Sequence, residues 1–274
     1  MNRLAVHHRR HGPSASRRRR PLLPVVGVAV IVAALPAGCG GGGGSSERVS
    51  TTVDLAKLPQ ATTFTTLRGL PQDPENAPAG NGTVVHPTTP VPISARPGGP
   101  PVAALPDTQL DGPTWVPVVQ STQGWHRVML PSKPNRTTGW IPASGGTLTT
   151  ARTPYLVKVE VGKRRLTLVN SGRTVKSWTV AVGAAKTPTP IGTTFVLALL
   201  KPTRPTFSPL IVPVGSHSET LDTFGGGPGT VAFHGWKDRS VFGKAVTHGC
   251  VRVPSDALTH LSKVPLGSPV VVTR

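Results

Sequence analysis

Residues 231–253 read VAFHGWKDRSVFGKAVTHGCVRV. The apolar run Val231–Phe233 leads into His234, which puts that histidine at the end of a β-strand, where its ring is held in a fixed orientation. The stretch closes on Thr247-His248-Gly249-Cys250-Val251-Arg252, so one of the chain's two cysteines follows a second histidine. Glycines stand where backbone amides approach a reacting atom, Gly249 above all, because a residue without Cβ lets a substrate come close. Strand, imidazole, loop and thiol in this order point to a β-fold that carries a cysteine acyl-transfer centre.

A free thiol titrates near ~8.5, so it needs an imidazole to take its proton and later return it to an amine. His234 and His248 are both candidates. His248 shares a face with Cys250 if the segment is extended, but a strand-end ring is better oriented, so His234 is the expected acid/base. Its second nitrogen needs a partner to fix the tautomer. Asp238 is the nearest carboxylate, and the Gly235 carbonyl is the expected acceptor. The amides of Gly249 and Cys250 are the expected oxyanion donors. Trp236 either walls the pocket or simply packs. Arg252 either orients a substrate carboxylate or braces the loop. A competing reading makes His234, His248 and Cys250 three zinc ligands. Their spacing matches no zinc knuckle and leaves Gly249 without a purpose, so no metal is expected.

Around this stretch, residues 150–274 read as short strands. Tyr155–Val161, Arg165–Asn170 and Thr174–Val182 are successive hairpin strands. Gly192–Leu200 is another strand, and Pro269–Val272 is a buried closing one. Ser255 is expected to cap one short helix, Asp256–Ser262, with Leu258 and Leu261 on one face. Lys201 to Gly229 reads as long loops, a length that usually has a functional reason. His217 and His260 belong to no motif. Lys237, Arg239 and Lys244 either attract an anionic substrate or form a solvated face.

His234 followed by Thr247-His248-Gly249-Cys250-Val251-Arg252 closely resembles the signature of L,D-transpeptidases with a YkuD-type catalytic domain. Thr187-Pro188-Thr189-Pro190-Ile191-Gly192 is similar to that family's Thr-Pro-x-Gly turn, with Ile191 inserted. Phe224-Gly225-Gly226-Gly227-Pro228 fits the loop before the base. The resemblance implies a β-sandwich in which Cys250 attacks the carbonyl before the terminal D-alanine of a peptidoglycan tetrapeptide stem. D-Alanine leaves, and the side-chain amine of a neighbouring stem's diamino acid resolves the thioester, which cross-links two third-position residues. The resemblance also implies that His234 is the acid/base, that His248, Thr247 and Gly249 shape the site, and that no cofactor takes part. Water as acceptor would make the chain a carboxypeptidase, and a protein amine would make it an anchoring enzyme. The rival is a non-catalytic wall-binding lipoprotein, against which the intact His234 and Cys250 argue.

Upstream, residues 94–149 hold Pro101–Leu105, Trp115–Ser121, Trp125–Leu130 and Thr138–Pro142, short apolar runs separated by turn residues such as Asp111-Gly112-Pro113 and Gln123-Gly124. Gly124-Trp125-His126-Arg127-Val128, Pro134-Asn135-Arg136 and Gly139-Trp140-Ile141 resemble bacterial SH3-like domains. At least two of Trp115, Trp125 and Trp140 are expected in that domain's core. Residues 39–93, opening with Gly40–Gly44, read as a flexible Gly/Pro/Thr-rich linker in which His86 is solvated. Residues 1–38 have the layout of a secretory signal: Arg3, Arg9, Arg10 and Arg17–Arg20, then the apolar Leu22–Leu35. Leu35-Pro36-Ala37-Gly38-Cys39 resembles a bacterial lipobox, with Pro36 where that motif prefers an aliphatic residue, and implies lipidation of Cys39. The alternatives are a plain cleaved signal and an uncleaved anchor, for which the apolar run is shorter than the ~20 residues a span needs.

The 274 residues include 31 glycines and 31 prolines but only six phenylalanines and one tyrosine, a composition of short strands joined by turns. The expected fold is mainly β: a small SH3-like barrel followed by a β-sandwich catalytic domain (150–274) with one short helix. Cys39 and Cys250 have separate tasks, so no disulfide is expected. The formal charge is +19. With no recognition helix, zinc-finger spacing or RNA-binding strand, nucleic acid is not an expected partner. The expected partners are anionic peptidoglycan stem peptides and, through Cys39, the membrane. The expected location is the cell envelope, on the outer face of the cytoplasmic membrane.

Overall fold

The computed structural model describes residues 53–274, which belong to one compact unit. The signal of residues 1–38, Cys39 and the Gly40–Gly44 leash lie outside the described residues. The first half contains β1 (Thr83–Pro87), β2 (Val91–Ser94), β3 (Pro101–Leu105), the short pair β4 (Thr108–Gln109) and β5 (Gly112–Pro113), β6 (Val116–Thr122), β7 (Trp125–Met129), β8 (Thr138–Pro142) and β9 (Leu148–Arg152). Apart from β4 and β5, these strands form one sheet in the order β3-β2-β8-β7-β6-β1-β9.

The expected linker therefore needs correction. Strands β1 and β2 both lie before residue 94 or end on it, and β1 pairs with both β6 and β9 inside the sheet. Ala61 and Leu67 are buried in the core of this half, and the Ala61 amide donates to the Ala104 carbonyl at 2.7 Å. The Pro- and Thr-rich composition hid this, because the segment packs as isolated bridges and two short strands without sustained alternation. His86 is not solvated chain either: its Nδ1 lies 2.9 Å from the Thr114 carbonyl and its ring stacks on Trp115 at 5.3 Å. Of the three tryptophans only Trp140 is buried, while Trp115 and Trp125 are half-buried.

The second half contains β10 (Tyr155–Glu160), β11 (Arg165–Asn170), β12 (Arg173–Thr179), β13 (Val182–Gly183), β14 (Gly192–Phe195), β15 (Ile211–His217), β16 (Thr230–His234), β17 (Ala245–Thr247), β18 (Val251–Arg252) and β19 (Pro269–Thr273). A five-stranded sheet runs β12-β11-β10-β19-β14 and a three-stranded sheet runs β15-β16-β18. Val157 and Val159 of β10 pair with Val270 and Val272 of β19 in a parallel register, and all four are buried. On the smaller sheet Val212, Val214, Val231, Phe233, Val251 and Val253 enter the same core. Each such side chain contributes about 1.5–3 kcal/mol when taken out of water, so this alternation fixes the register of both sheets.

Two further expectations change. Strand β15 occupies part of the stretch read as loop. Its Pro213 and Gly215 weaken the strand signal, yet six of its seven residues are buried. The one α-helix among the described residues, α1, runs Ser255–Leu261 and is preceded by Pro254, which makes no side-chain cap bond, so Ser255 is the first helical residue and not the cap. Ala257, Leu258 and Leu261 face the core, and Asp256 ties the helix to β12 by accepting from Trp178 Nε1 at 2.7 Å.

The two halves share a core. Phe195 and Leu197, from the second half, are buried among Ile93, Leu105, Val128 and Ile141 of the first. Phe195 also packs against Gly215, where an added Cβ would come within 2.5 Å of its ring.

Candidate active site

Strands β16 and β18 run parallel with Phe233 opposite Val251 and His234 opposite Arg252. Paired residues of a parallel sheet point to the same face, and alternate residues point to opposite faces. Phe233 and Val251 point into the core. His234 and Arg252 therefore point to the other face, and Cys250, two residues before Arg252, joins them. Diagonal neighbours across such a pair lie about 7–8 Å apart at their backbones, a span that a thiol and an imidazole bridge between them. The register thus brings three of the expected residues, His234, Cys250 and Arg252, to one surface.

His234 is 7% exposed. Its Nδ1 lies 2.8 Å from the Gly235 carbonyl, and because a carbonyl only accepts, Nδ1 carries the proton and Nε2 keeps its lone pair. Burial holds the imidazole below the ordinary histidine value. The hydrogen bond to Gly235 opposes this, and the Arg252 charge adds to it. Burial pushes the Cys250 thiol up, against a backbone hydrogen bond with Ala232 and the Arg252 charge. Both shifts favour the neutral pair, a thiol beside an unprotonated imidazole, as the resting state.

The loop that presents Cys250 is held by threonine hydroxyls. Thr247 Oγ1 donates to the Cys250 carbonyl at 2.5 Å and accepts from the Gly249 amide at 3.2 Å. The Gly249 amide is thus committed within the loop, and of the two expected oxyanion donors the Cys250 amide is left. Gly249 has φ +114°, a conformation that L side chains rarely adopt. From the Thr-Pro turn, Thr189 Oγ1 donates to the Gly249 carbonyl at 2.9 Å and accepts from the Gly183 amide at 2.9 Å, while Thr187 Oγ1 donates to the Thr247 carbonyl at 2.8 Å.

Aromatic rings wall the site. Phe207 meets the His234 ring edge-on at 4.9 Å, and Trp236 lies 6.0 Å from it. The Arg252 guanidinium sits 3.6 Å from the centre of the Trp236 ring. The Arg252 Nε is buried with no hydrogen-bond partner, and among the described residues no carboxylate pairs with this arginine. A cleft of about 480 Å³ opens beside the wall, lined by Phe207, Leu210, Trp236, Leu258, Lys201 and Lys237 among others, with no acidic side chain. Residues 150–274 hold 16 basic and five acidic residues, +11, whereas residues 53–149 hold six and five, +1. Nearly all the positive charge of the described chain therefore belongs to the half that carries the site.

His248, two residues before Cys250, is the exposed one among the expected residues, and its ring lies tilted against Phe224 with centroids 5.0 Å apart. Among the described residues, no three of His, Cys, Asp and Glu converge on a point that would hold a metal ion. Asp238 caps the short 3-10 turn Arg239–Val241 through Ser240 and does not orient His234. Ser208 escaped the sequence reading: it is buried, its Oγ donates to the Leu210 carbonyl at 2.6 Å, and it accepts from the Gly235 amide at 2.7 Å. It lies in a Pro-rich loop with no motif, so only its contacts reveal it. Phe207 was missed for the same reason.

A family model for the L,D-transpeptidase catalytic domain of the YkuD type matches residues 154–272. The chain is 30% identical over 122 residues to YkuD of Bacillus subtilis (strain 168), described as a candidate L,D-transpeptidase, a match covering 44% of this chain and 67% of that one. Its Bacillus licheniformis counterpart is 34% identical over 121 residues, covering 44% and 66%. Among solved structures, an L,D-transpeptidase from Mycobacterium smegmatis is 20% identical with a TM-score of 0.41, covering 57% of this chain and 80% of that one.

Proposed function

The chain belongs to the YkuD family of L,D-transpeptidases, and from that premise we propose that it cross-links peptidoglycan stems through a Cys250 thioester. The observation that carries this reading is the shared face of His234, Cys250 and Arg252 fixed by the β16–β18 register. His234 Nε2 takes the thiol proton as Sγ bonds to the carbonyl carbon before the terminal D-alanine. The developing oxyanion is met by the Cys250 amide. The intermediate collapses, the C–N bond breaks, and the proton on His234 goes to the departing D-alanine nitrogen. The side-chain amine of a second stem then attacks the thioester and loses its proton to His234. Breaking the C–S bond returns the thiolate, which takes that proton back.

Arg252 is the anchor for a substrate carboxylate in this reading. A guanidinium with a buried, unpartnered Nε and a face on Trp236 is pre-set to accept a planar anion. The charge of the catalytic half and the lysines of the neighbouring cleft favour stem peptides, which are anionic. The positive stretch, apolar run and Cys39 of the first 39 residues support export and a lipid anchor on the outer face of the cytoplasmic membrane.

The test is the intact mass of the chain carrying Cys39→Ser, which leaves Cys250 as the sole thiol, incubated with a tetrapeptide stem. The expected result is a mass gain lost in Cys250→Ala, with release of D-alanine. Products formed with an added amine acceptor then distinguish cross-linking from hydrolysis. A folded chain that gains no mass and releases no D-alanine overturns the reading.

A further inference from the structure

The loop Ser218–Gly229 joins β15 to β16 and reaches over the nucleophile segment. At its tip Phe224 and Gly227 exchange two backbone hydrogen bonds of 3.0 Å, and the Phe224 ring, half exposed, lies tilted against His248 with centroids 5.0 Å apart. At its base the Ser218 amide donates to the Gly229 carbonyl at 2.8 Å. The loop's own contacts hold it together as a unit. Its placement over His248 depends on contacts from the other half of the chain.

Those contacts come from the turn between β7 and β8 and from the segment before β1. The Asn135 carboxamide pairs with the backbone of His217 in both directions: Nδ2 donates to the His217 carbonyl and Oδ1 accepts from the His217 amide, each at 2.8 Å. Nδ2 also lies 3.5 Å from Glu219 Oε1. Asn135 thus takes the place of a neighbouring strand at the residue where the loop begins. Lys133 Nζ donates to the Asp222 carbonyl at 3.1 Å, two residues before Phe224. Thr63 holds the other end, with its Oγ1 2.6 Å from Thr230 Oγ1, and its carbonyl accepts from His217 Nε2 at 2.8 Å. Both ends and one limb of the loop are gripped by residues outside the catalytic half.

We propose that Asn135, with Lys133 and Thr63, positions this loop over the active site, so that the first half of the chain works as a clamp on the catalytic half. The clamp sets how Phe224 lies against His248, and through it the width of the opening above Cys250. The inference rests on the reading of Cys250 as the reacting thiol, but its test has a readout that does not.

Asn135→Ala and, as a second variant, Lys133→Met are compared with the unaltered protein, all carrying Cys39→Ser. Amide hydrogen exchange is followed across residues 218–229, with β10 and β11 as internal reference. Cys250 is alkylated with iodoacetamide and, separately, acylated with a tetrapeptide stem. The expected result is exchange at least tenfold faster in the loop alone, faster alkylation, and several-fold slower acylation that appears as a raised KM. A thiol more open to a small reagent yet less reactive to its substrate is what loss of positioning produces; general destabilisation speeds exchange everywhere. Unchanged loop exchange in both variants overturns the clamp, and so does faster exchange with unchanged alkylation and acylation. If the unaltered protein is not acylated, the reading of Cys250 fails, and exchange with alkylation still decides the clamp.

Discussion

His234 is oriented by the residue that follows it, its Nδ1 donating to the Gly235 carbonyl over 2.8 Å, while the Gly235 amide donates to buried Ser208. A ring held through its neighbour's peptide is only as fixed as that peptide. In Ser208→Ala the Gly235 amide is left buried without its acceptor, at a cost of about 1–3 kcal/mol. Acylation of Cys250 is expected to slow by about tenfold or more, because the base no longer points at the thiol. Stopped-flow acylation together with thermal melts checks both, and Ser208→Thr, which retains the hydroxyl, should recover most of the rate.

The pH dependence follows from the direction of the shifts. Burial lowers the His234 pKa below 6.5, so the imidazole stays unprotonated to lower pH than a free histidine. The acid limb of the acylation rate is therefore expected below pH 6.5. Buried His217 is shifted the same way and for the same chief reason. In the unfolded chain both histidines bind protons first as pH falls, so the stability contributed by their neutral burial is fully present above 6.5 and is lost as pH drops through their folded-state values. Melting temperatures measured between pH 7.5 and 5 should fall, and His217→Gln should flatten that fall.

Thr189 supplies the hydroxyl that bridges the Gly249 carbonyl and the Gly183 amide. Thr189→Val keeps the shape and removes both bonds, leaving two buried backbone groups unpaired. Each costs about 1–3 kcal/mol. Urea unfolding is expected to show a loss of about 2–6 kcal/mol, and the acylation rate should fall more than the stability alone explains, because the loop presenting Cys250 loosens.

Arg252→Lys retains the charge and removes the planar group that lies on Trp236. Steady-state kinetics should show KM for the tetrapeptide stem raised by about tenfold, with a smaller change in kcat, since the loss falls on binding a carboxylate. An equal loss in kcat with KM unchanged would instead make Arg252 part of the loop's bracing.

The readable parts of the sequence were those whose signal is local. Hairpin strands such as Arg165–Asn170 and Pro101–Leu105 announce themselves by alternation and turn residues, and their bounds agree with β11 and β3. The end of β16 at His234 and the Gly235 contact followed from an apolar run and the need to fix a tautomer. What stayed hidden is held by long-range contacts. Strand β15 contains Pro213 and Gly215 and becomes a strand because sheets and Phe195 enclose it. Residues 53–93 look like linker because their order comes from partners far along the chain, such as Ala104 for Gln60 and Lys133 for Thr66. Ser208 and Asn135 act through backbone atoms, which carry no residue-specific signature.

The placement of Phe195 and Leu197 among the residues of the first half has a consequence for ancestry and for engineering. A catalytic domain that lends two of its largest apolar side chains to its neighbour cannot be shuffled between chains without leaving a hole in one partner and a greasy patch on the other. Mutations at Ile93, Leu105 or Ile141 must be matched by changes at Phe195 or Leu197, far along the chain, so the two halves are bound to drift together. The heritable unit, and the smallest piece worth cloning, is the joined pair and not the stretch that bears the family's signature.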